Sequence, residues 1–243
     1  MALLLITCEH GGNGIPAPFH PLFAQHRDLL DSHRGWDPGA LVMAEELAAA
    51  CRAPLVVSTT SRLLIDLNRS LHHRHVFSPI TRAASAAVRE QIIEEHYRPY
   101  RGEVESFVAQ TVSSGQRVIH LSSHSFTPEL DGVVRRTDVG LLYDPRRPGE
   151  VETSTRWQRS LAAVAPQLRV RRNYPYAGKA DGLTSHLRTR FPPGDYVGIE
   201  LEINQRIVLA AGRPWTEVRR ALIEALHVAT DPEHHRGREG RTP

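Results

Sequence analysis

The stretch ALLLITCEHGG at residues 2–12 places a short apolar run directly before a glutamate, a histidine and two glycines. Short apolar runs that include β-branched residues are typical of buried strands. In open α/β sheets, ligands collect at the carboxyl ends of the strands, where the chain leaves the sheet. The stretch therefore predicts a first strand that delivers His10 to a functional site. Taken alone, His10 also fits a hydrogen-bonded structural histidine.

The same opening run differs from a secretory leader, because it has no basic segment before it and no small-residue cleavage site after it. The chain has 243 residues, of which 40% are hydrophobic and 23% are charged, as in an ordinary globular domain. No run of about eighteen apolar residues indicates a membrane span. We expect a single catalytic domain over residues 1–230 and a disordered polar tail over residues 231–243.

Cysteine content and charge narrow the class of protein further. Cys8 and Cys51 are too few for a disulfide framework, which favours a cytoplasmic location. The net charge is +3, but the basic residues are dispersed and aromatic residues make up only 6% of the chain. A nucleic-acid-binding face is therefore not expected, whereas a small anionic substrate suits the mild excess of arginine. No heptad or clear apolar patch indicates an oligomeric state.

Further strands and helices follow from the hydrophobic periodicity. Helical spacing of apolar residues occurs at residues 39–52, 90–113, 153–167 and 214–227. Strands are predicted at residues 3–7, 54–59, 117–122, 138–143, 168–172 and 196–203. Strands that alternate with helices predict an α/β fold with a mostly parallel sheet covered on both faces. Residues 14–33 contain several prolines and little periodicity, which predicts an ordered loop.

A cluster of polar residues lies in SRLLIDLNR at residues 61–69. Arg62 and Arg69 flank an apolar stretch, with Asp66 and Asn68 at alternating positions. Arginine forks bind carboxylates through two parallel hydrogen bonds, so this cluster is a candidate clamp for an acidic substrate. The alternative is an ion pair between Asp66 and an arginine, with Asn68 in a turn.

Two later strands also end in residues that suit catalysis. VIHLSSHSF at residues 118–126 delivers His124 beside hydroxyl residues, and neutral imidazole is a common zinc ligand. In GIELEIN at residues 198–204, Glu200 and Glu202 are two positions apart, so both point to one face of a strand. A glutamate near an activated water is the usual general base of a zinc hydrolase. Solvent-facing alternation on an edge strand is the alternative for this pair.

The order of these motifs resembles that of zinc carboxypeptidases and their deacylase relatives, and more closely that of the N-formylglutamate amidohydrolase family. The resemblance covers about residues 5–210. It implies a three-layer α/β/α sandwich with a mostly parallel mixed sheet, of the zinc exopeptidase type. It also implies hydrolysis of a small acidic N-acyl amino acid, most closely N-formyl-L-glutamate to formate and glutamate. The segments that carry it are CEHGGNGIP, DSHRGWDPGA, SRLLIDLNR, SHSF, DVGLLYD, NYPYAG and ELEIN.

The resemblance also implies the ligands of one zinc ion. His10 and His124 match the two histidines of the family pattern. Relatives place a glutamate three residues after the first histidine, but this chain has Asn13 there, and amides are poor zinc ligands. Catalytic zinc sites usually have three protein ligands, and we expect Asp37 to be the third. Glu9, Asn13 and His33 are the alternatives.

The same resemblance suggests roles for other residues. A glutamate before Ile-Asn indicates Glu202 as the general base, whereas the carboxypeptidase-like Glu-Leu indicates Glu200; we favour Glu202. Arg62 or Arg69 stabilises the oxyanion, and the other arginine holds a substrate carboxylate. Asn68, Ser125 and Tyr176 are expected to bind substrate. Tyr176 lies in a glycine-containing segment that also contains His186, which we expect on a surface loop.

Two other functions fit the same residues. A zinc carboxypeptidase or another N-acyl amino acid deacylase would use the same metal chemistry with a different pocket. A metal-binding or ligand-binding protein without catalytic activity is the other alternative, because Asn13 departs from the family pattern. Metal content and the effect of Glu202→Gln on turnover distinguish the two classes.

Overall fold

The computed structural model describes residues 2–210 and 212–230, and the expected tail at residues 231–243 lies outside these residues. Six of the strands form one sheet, and two short strands, Glu129–Leu130 and Val133–Val134, form a separate antiparallel pair. All six strands predicted from the sequence are confirmed. The strands are β1 (Ala2–Cys8), β2 (Leu55–Val57), β3 (Arg117–Phe126), β4 (Glu129–Leu130), β5 (Val133–Val134), β6 (Val139–Leu142), β7 (Val170–Arg172) and β8 (Tyr196–Asn204).

The sheet is mixed and mostly parallel, as the sequence predicts. Its strand order is β2-β1-β3-β8-β6-β7, and only the β6–β8 pair is antiparallel. The carboxyl ends of β1, β3 and β8 therefore lie at the same edge. In the β3–β8 register, Ser122 is paired with Glu200 and His124 with Glu202. The candidate polar residues of these two strands thus share one end of the sheet.

The helices cover both faces of the sheet. One face packs against α3, α7 and α10 and the other against α6 and α8, which confirms the three-layer α/β/α arrangement. In chain order the α-helices are α1 (His20–Phe23), α2 (Arg27–Asp31), α3 (Ala40–Cys51), α4 (Pro79–Arg82), α5 (Ala86–Ile92), α6 (Arg98–Ser113), α7 (Pro148–Val164), α8 (Leu183–Arg190), α9 (Gln205–Leu209) and α10 (Gly212–Thr230). A 3₁₀ turn at Ala17–Phe19 and a π-helical turn at Ile93–Tyr97 complete the helical segments of the described chain.

Three segments differ from the sequence-based expectations. Residues 14–33 contain short helices instead of a continuous loop, and α7 begins at Pro148, five residues before the predicted start. The segment around His186 forms helix α8, because Leu183 and Leu187 are four residues apart and both are buried against the sheet. Such a short pattern is weak in the sequence alone.

The length and apolar character of the described helices bear on membrane insertion. Across residues 2–210 and 212–230, none of the helices has both the length and the apolar character that crossing a bilayer requires.

Candidate metal and active site

Three buried side chains meet at the carboxyl edge of the sheet. His10 follows β1 and His124 lies near the end of β3, so the parallel pairing of these strands brings both imidazoles to the same edge. Asp37 lies in the loop before α3, where its backbone N–H donates to the His10 carbonyl at 3.0 Å. Gly39, at a φ of 80°, then turns the chain into α3. The fold therefore places a carboxylate beside two histidines that are distant in sequence.

The three side chains are arranged as metal ligands. Asp37 Oδ2 lies 3.3 Å from His10 Nδ1 and 3.0 Å from His124 Nδ1. A tetrahedral zinc ion with bonds of about 2.1 Å would separate its ligand atoms by roughly 3.4 Å. Within the described residues, this is the group of histidine, cysteine and acidic side chains whose ligand atoms converge closely enough to hold a metal ion.

The other nitrogen of each ring faces an orienting partner. His10 Nε2 lies 2.8 Å from Asp66 Oδ1. His124 Nε2 lies 2.8 Å from Ser122 Oγ and 3.1 Å from Glu9 Oε2. When Nε2–H donates to these acceptors, the Nδ1 lone pairs point towards Asp37, which is the arrangement of carboxylate–histidine–zinc sites. The residues present therefore fit a zinc ion.

The other candidates for a third ligand lie elsewhere. Glu9 is on the far side of His124, where it accepts hydrogen bonds from Ser122 at 2.6 Å and Tyr100 at 2.9 Å. Burial alone would raise the pKa of Glu9, but the hydrogen bonds from His124 and Ser122 hold it well below its usual range. Asn13 donates to Asp31 at the surface, and His33 is exposed.

Arg62 bridges the carboxylates of the candidate ligand Asp37 and the orienting residue Asp66. It donates to Asp37 Oδ1 at 3.2 Å and to Asp66 Oδ2 at 2.9 Å. The alternative of an ion pair between Asp66 and an arginine is therefore present in the structure. Burial alone would raise the pKa of Asp66, but Arg62 and His10 hold it well below its usual range. Both carboxylates thus remain ionised beside the two imidazoles.

Asn68 and Arg69 lie on the same side of the site. Asn68 Nδ2 is 3.3 Å from His124 Nε2, and Asn68 Oδ1 accepts a hydrogen bond from the backbone N–H of Leu183 at 2.7 Å. Arg69 donates to the backbone carbonyl of Asp181 at 2.6 Å. Within the described residues Arg69 forms no ion pair, so its positive charge remains available to an anionic ligand.

Glu200 and Glu202 point to one face of β8 but differ in their surroundings. Glu200 accepts a hydrogen bond from Thr184 Oγ1 at 2.7 Å. Glu202 is 6% exposed, and its Oε2 has no hydrogen-bond partner within the described residues. Burial raises the pKa of Glu202 to about 8, and the negative charges of Asp37 and Glu200 act in the same direction. Glu202 therefore titrates near neutral pH, which suits a group that takes and returns a proton.

All ten candidate site residues border one small cavity of about 210 Å³. Ser125 Oγ accepts a hydrogen bond from Gln205 at 3.2 Å, and Tyr176 is 44% exposed, which places it at the mouth. His186 does not border the cavity and pairs with Glu105 at 3.2 Å. The lining residues are His10, Asp37, Arg62, Asn68, Arg69, His124, Ser125, Tyr176, Ala177, Ala180, Asp181, Glu200 and Glu202.

Several residues of the site were not identified from the sequence. Asp66 was considered only as an ion-pair partner of an arginine, yet it also orients His10. Glu9 was considered only as a ligand, yet it lies behind His124. Asp181 lies within the glycine-containing segment between Tyr176 and His186 but belongs to no motif, and no sequence signal indicates it. For Glu9 the signal was its position beside a candidate ligand at a strand end, where orienting carboxylates are common.

Comparisons with known proteins identify the family and the fold of the chain. A family model described as N-formylglutamate amidohydrolase matches residues 2–209. A solved structure of a gene product from Agrobacterium tumefaciens is 28% identical, with a TM-score of 0.77 over 94% of this chain and 90% of that chain. The structure of N-formylglutamate amidohydrolase from Ralstonia eutropha JMP134 is 20% identical, with a TM-score of 0.68 over 94% of this chain and 93% of that chain. At that identity the likeness concerns the fold alone. Comparison with curated proteins gave no match.

Proposed function

The chain belongs to the N-formylglutamate amidohydrolase family, and we propose on that premise that it is a zinc-dependent hydrolase of small acidic N-acyl amino acids. The preferred substrate in this proposal is N-formyl-L-glutamate, which is cleaved to formate and glutamate. The observation that carries the proposal is the convergence of His10, Asp37 and His124 beside Glu202, whose buried oxygen lacks a partner within the described residues. We further propose a cytoplasmic location, because Cys8 and Cys51 are both free thiols.

The size of the cavity supports a small substrate. At about 210 Å³ it is smaller than the roughly 300–1,000 Å³ typical of sites for drug-sized ligands. A carboxypeptidase needs an open groove for a peptide chain. A formyl amino acid needs only a small pocket, so the cavity favours it over the carboxypeptidase alternative.

Different residues of the chain have different proposed roles in amide hydrolysis. A zinc ion held by His10, Asp37 and His124 would supply Lewis acidity towards a carbonyl oxygen and a water molecule. Glu202 takes the proton from the attacking water and delivers it to the leaving nitrogen. Its burial and its pKa of about 8 fit a carboxyl group that exchanges a proton near neutral pH.

The two arginines have different surroundings and therefore different proposed roles. Arg62 is held by Asp37 and Asp66 next to the metal group, which supports its assignment to the developing oxyanion. A preorganised donor of this kind typically contributes about 10²–10³ in rate. Arg69 has no carboxylate partner within the described residues and neighbours Asn68. We assign Arg69 and Asn68 to the substrate carboxylate next to the scissile amide.

The experiment that tests this proposal measures amine release by the zinc-loaded protein from a panel of N-acyl amino acids. Wild-type protein should hydrolyse N-formylglutamate, and chelation should abolish the activity. Glu202→Gln should lower kcat by about 10²–10⁴, the usual contribution of a general base, while zinc stays bound. Glu200→Gln is the matched control and should cost less, because Glu200 is already hydrogen-bonded to Thr184.

Each other result points to a different function. Release only from N-acyl amino acids with other acyl groups would keep the mechanism and replace the substrate. An equal loss in both variants would reject Glu202 as the specific base. If no amine is released from any member of the panel while zinc is bound, the proposed hydrolase activity is contradicted. A metal-binding or ligand-binding protein without catalytic activity is then favoured.

A further inference from the structure

Arg135 is a buried cation that has no carboxylate partner within the described part of the chain. It follows β5 and is 8% exposed, and within the described residues it forms no ion pair. Its guanidinium lies 6.0 Å from the ring centre of Phe126 and 5.1 Å from that of Tyr176. Burial of a charge is costly unless it is paired, so an unpaired buried arginine is a candidate for binding an anionic ligand.

The position of Arg135 is fixed by its backbone. Its N–H donates to the Pro128 carbonyl at 2.8 Å, and its own carbonyl accepts a hydrogen bond from Asn204 Nδ2 at 2.9 Å. Asn204 is the last residue of β8, the strand that carries Glu200 and Glu202. Arg135 is therefore held against the strand that supplies the proposed base.

Arg135 contacts Tyr176, a residue that borders the cavity. The guanidinium donates to Tyr176 Oη at 3.0 Å, and Tyr176 borders the mouth of the cavity. Asn68 and Arg69 border the same cavity, and Asn68 Nδ2 lies 3.3 Å from His124 Nε2. The cavity is thus bordered by the guanidinium of Arg69, which forms no ion pair within the described residues, and that of Arg135 lies behind Tyr176.

Two guanidinium groups at one cavity suit a substrate with two carboxylates. In an N-acyl glutamate, one carboxylate is attached to the carbon next to the amide nitrogen, and the other ends the side chain. Arg69 and Asn68 are placed for the first. We propose that Arg135, with the hydroxyl of Tyr176, binds the side-chain carboxylate and makes the enzyme selective for acidic amino acids. This inference rests on the proposed function and assigns a specificity role to a residue outside the metal group.

The test compares kcat/KM for N-formylglutamate with kcat/KM for N-formylglutamine, which has the same shape without the charge. Arg135→Met keeps an unbranched apolar stem against Phe126 and removes the guanidinium. The preference for the acid should fall by about 10–100-fold, the worth of a hydrogen bond to a charged group. The change should appear as a higher KM for the acid, with the rate on the amide nearly unchanged. Arg136→Met is the matched control, because Arg136 is adjacent and exposed, and it should leave the preference intact.

An unchanged preference in Arg135→Met, or an equal fall in Arg136→Met, would overturn the inference while leaving the hydrolase intact. If Arg135→Met does not fold, Arg135→Lys decides in its place, because lysine keeps the charge but not the two-pronged geometry. A preference lowered at least threefold supports the inference, and an unchanged preference overturns it.

A binding measurement separates this inference from the proposed function. If the zinc-loaded wild type hydrolyses neither substrate, the proposed function fails, and calorimetric titration with glutamate then decides the role of Arg135. Weaker glutamate binding in Arg135→Met but not in Arg136→Met supports the subsite. Equal binding by the two variants, or no binding by the wild type, overturns it.

Discussion

His120 and His124 lie on the same strand and the same face, four residues apart, yet their surroundings are opposite. His120 is enclosed by Thr7 Oγ1 at 2.8 Å and Tyr196 Oη at 2.7 Å. His124 contacts Asp37 and Glu9 instead. Burial lowers the pKa of His120 to about 4, whereas hydrogen bonds to Asp37 and Glu9 outweigh burial and raise the pKa of His124. Burial among hydroxyl groups thus keeps His120 neutral, whereas two carboxylates favour a positive charge at His124.

Position along β3 decides which histidine has a structural role and which belongs to the candidate metal site. His120 is paired in register with Gly198 inside the sheet, where both ring nitrogens have hydroxyl neighbours. His124 is close to the carboxyl end of β3, where the strand leaves the sheet. There it borders the cavity. A histidine inside the sheet can be fully satisfied by its neighbours, whereas one at the edge can share its nitrogen with a ligand.

The largest effect is expected when the site histidine itself is changed. His124→Gln removes one of three proposed ligands, so zinc content should fall well below one ion per chain. The loss in kcat/KM on N-formylglutamate should exceed about 10⁴-fold, more than the loss of a general base alone. Metal analysis and steady-state kinetics measure both quantities. Full zinc content in this variant would contradict the assignment of His124 as a ligand.

The next effect concerns the stability of the fold. His120→Leu leaves the hydroxyls of Thr7 and Tyr196 without their buried partner, which should lower the free energy of unfolding by about 3 kcal/mol. Urea denaturation measures this loss. The folded variant should keep its zinc and a kcat within about twofold of the wild type. A large loss of kcat at full zinc occupancy would show that His120 acts in the site.

A smaller effect should follow from changing the partner of a ligand. Asp66→Asn removes the carboxylate that orients His10, and changes of this kind typically cost about 10–100-fold in metal affinity. Tyr196→Phe makes the matching change beside His120 and should leave zinc affinity unchanged. Competition with a chelator of known affinity measures both. Equal affinity in the two variants would show that Asp66 does not orient the ligand.

The smallest effect is a pH dependence of stability. The pKa of His120 is about 4 in the folded chain and near 6.5 when unfolded, so its contribution to stability is complete above pH 6.5 and decreases as the pH falls towards 4. Between pH 7 and pH 5.5 this histidine alone should account for about 1 kcal/mol of lost unfolding free energy. The same decrease measured in His120→Leu should be smaller by that amount. An identical pH dependence in both proteins would mean that His120 does not titrate in this way.

Much of the fold could be predicted because strands β1, β3 and β8 are apolar runs with period-2 or continuous hydrophobicity. The hairpin of β4 and β5 could not, because its two-residue strands are too short to show a period. Helix α8 was missed for a similar reason, since only Leu183 and Leu187 mark its buried face. Long periodic segments determine their own structure, whereas short ones depend on what they pack against.

The candidate site was predictable in its residue types but not in all of its contacts. The ten residues chosen from the sequence border one cavity, yet their roles stay predictions. Asp66 and Glu9 escaped assignment as orienting groups because their partners, His10 and His124, are 56 and 115 positions away along the chain. Arg135 carries no motif, and its relation to Tyr176 is visible only across 41 residues of sequence separation.

The sequence by itself determined the strand ends at which His10, His124 and Glu202 lie. Apolar periodicity, and the polar and glycine residues that follow an apolar run, are local properties of the chain. Only the tertiary structure decided that Asp37 faces both histidines, that Glu9 lies behind His124, and that Glu202 keeps a buried oxygen without a partner in the described chain. These are distances and burial between segments far apart in sequence. They depend on the register of parallel strands and the path of loops, which no local pattern encodes.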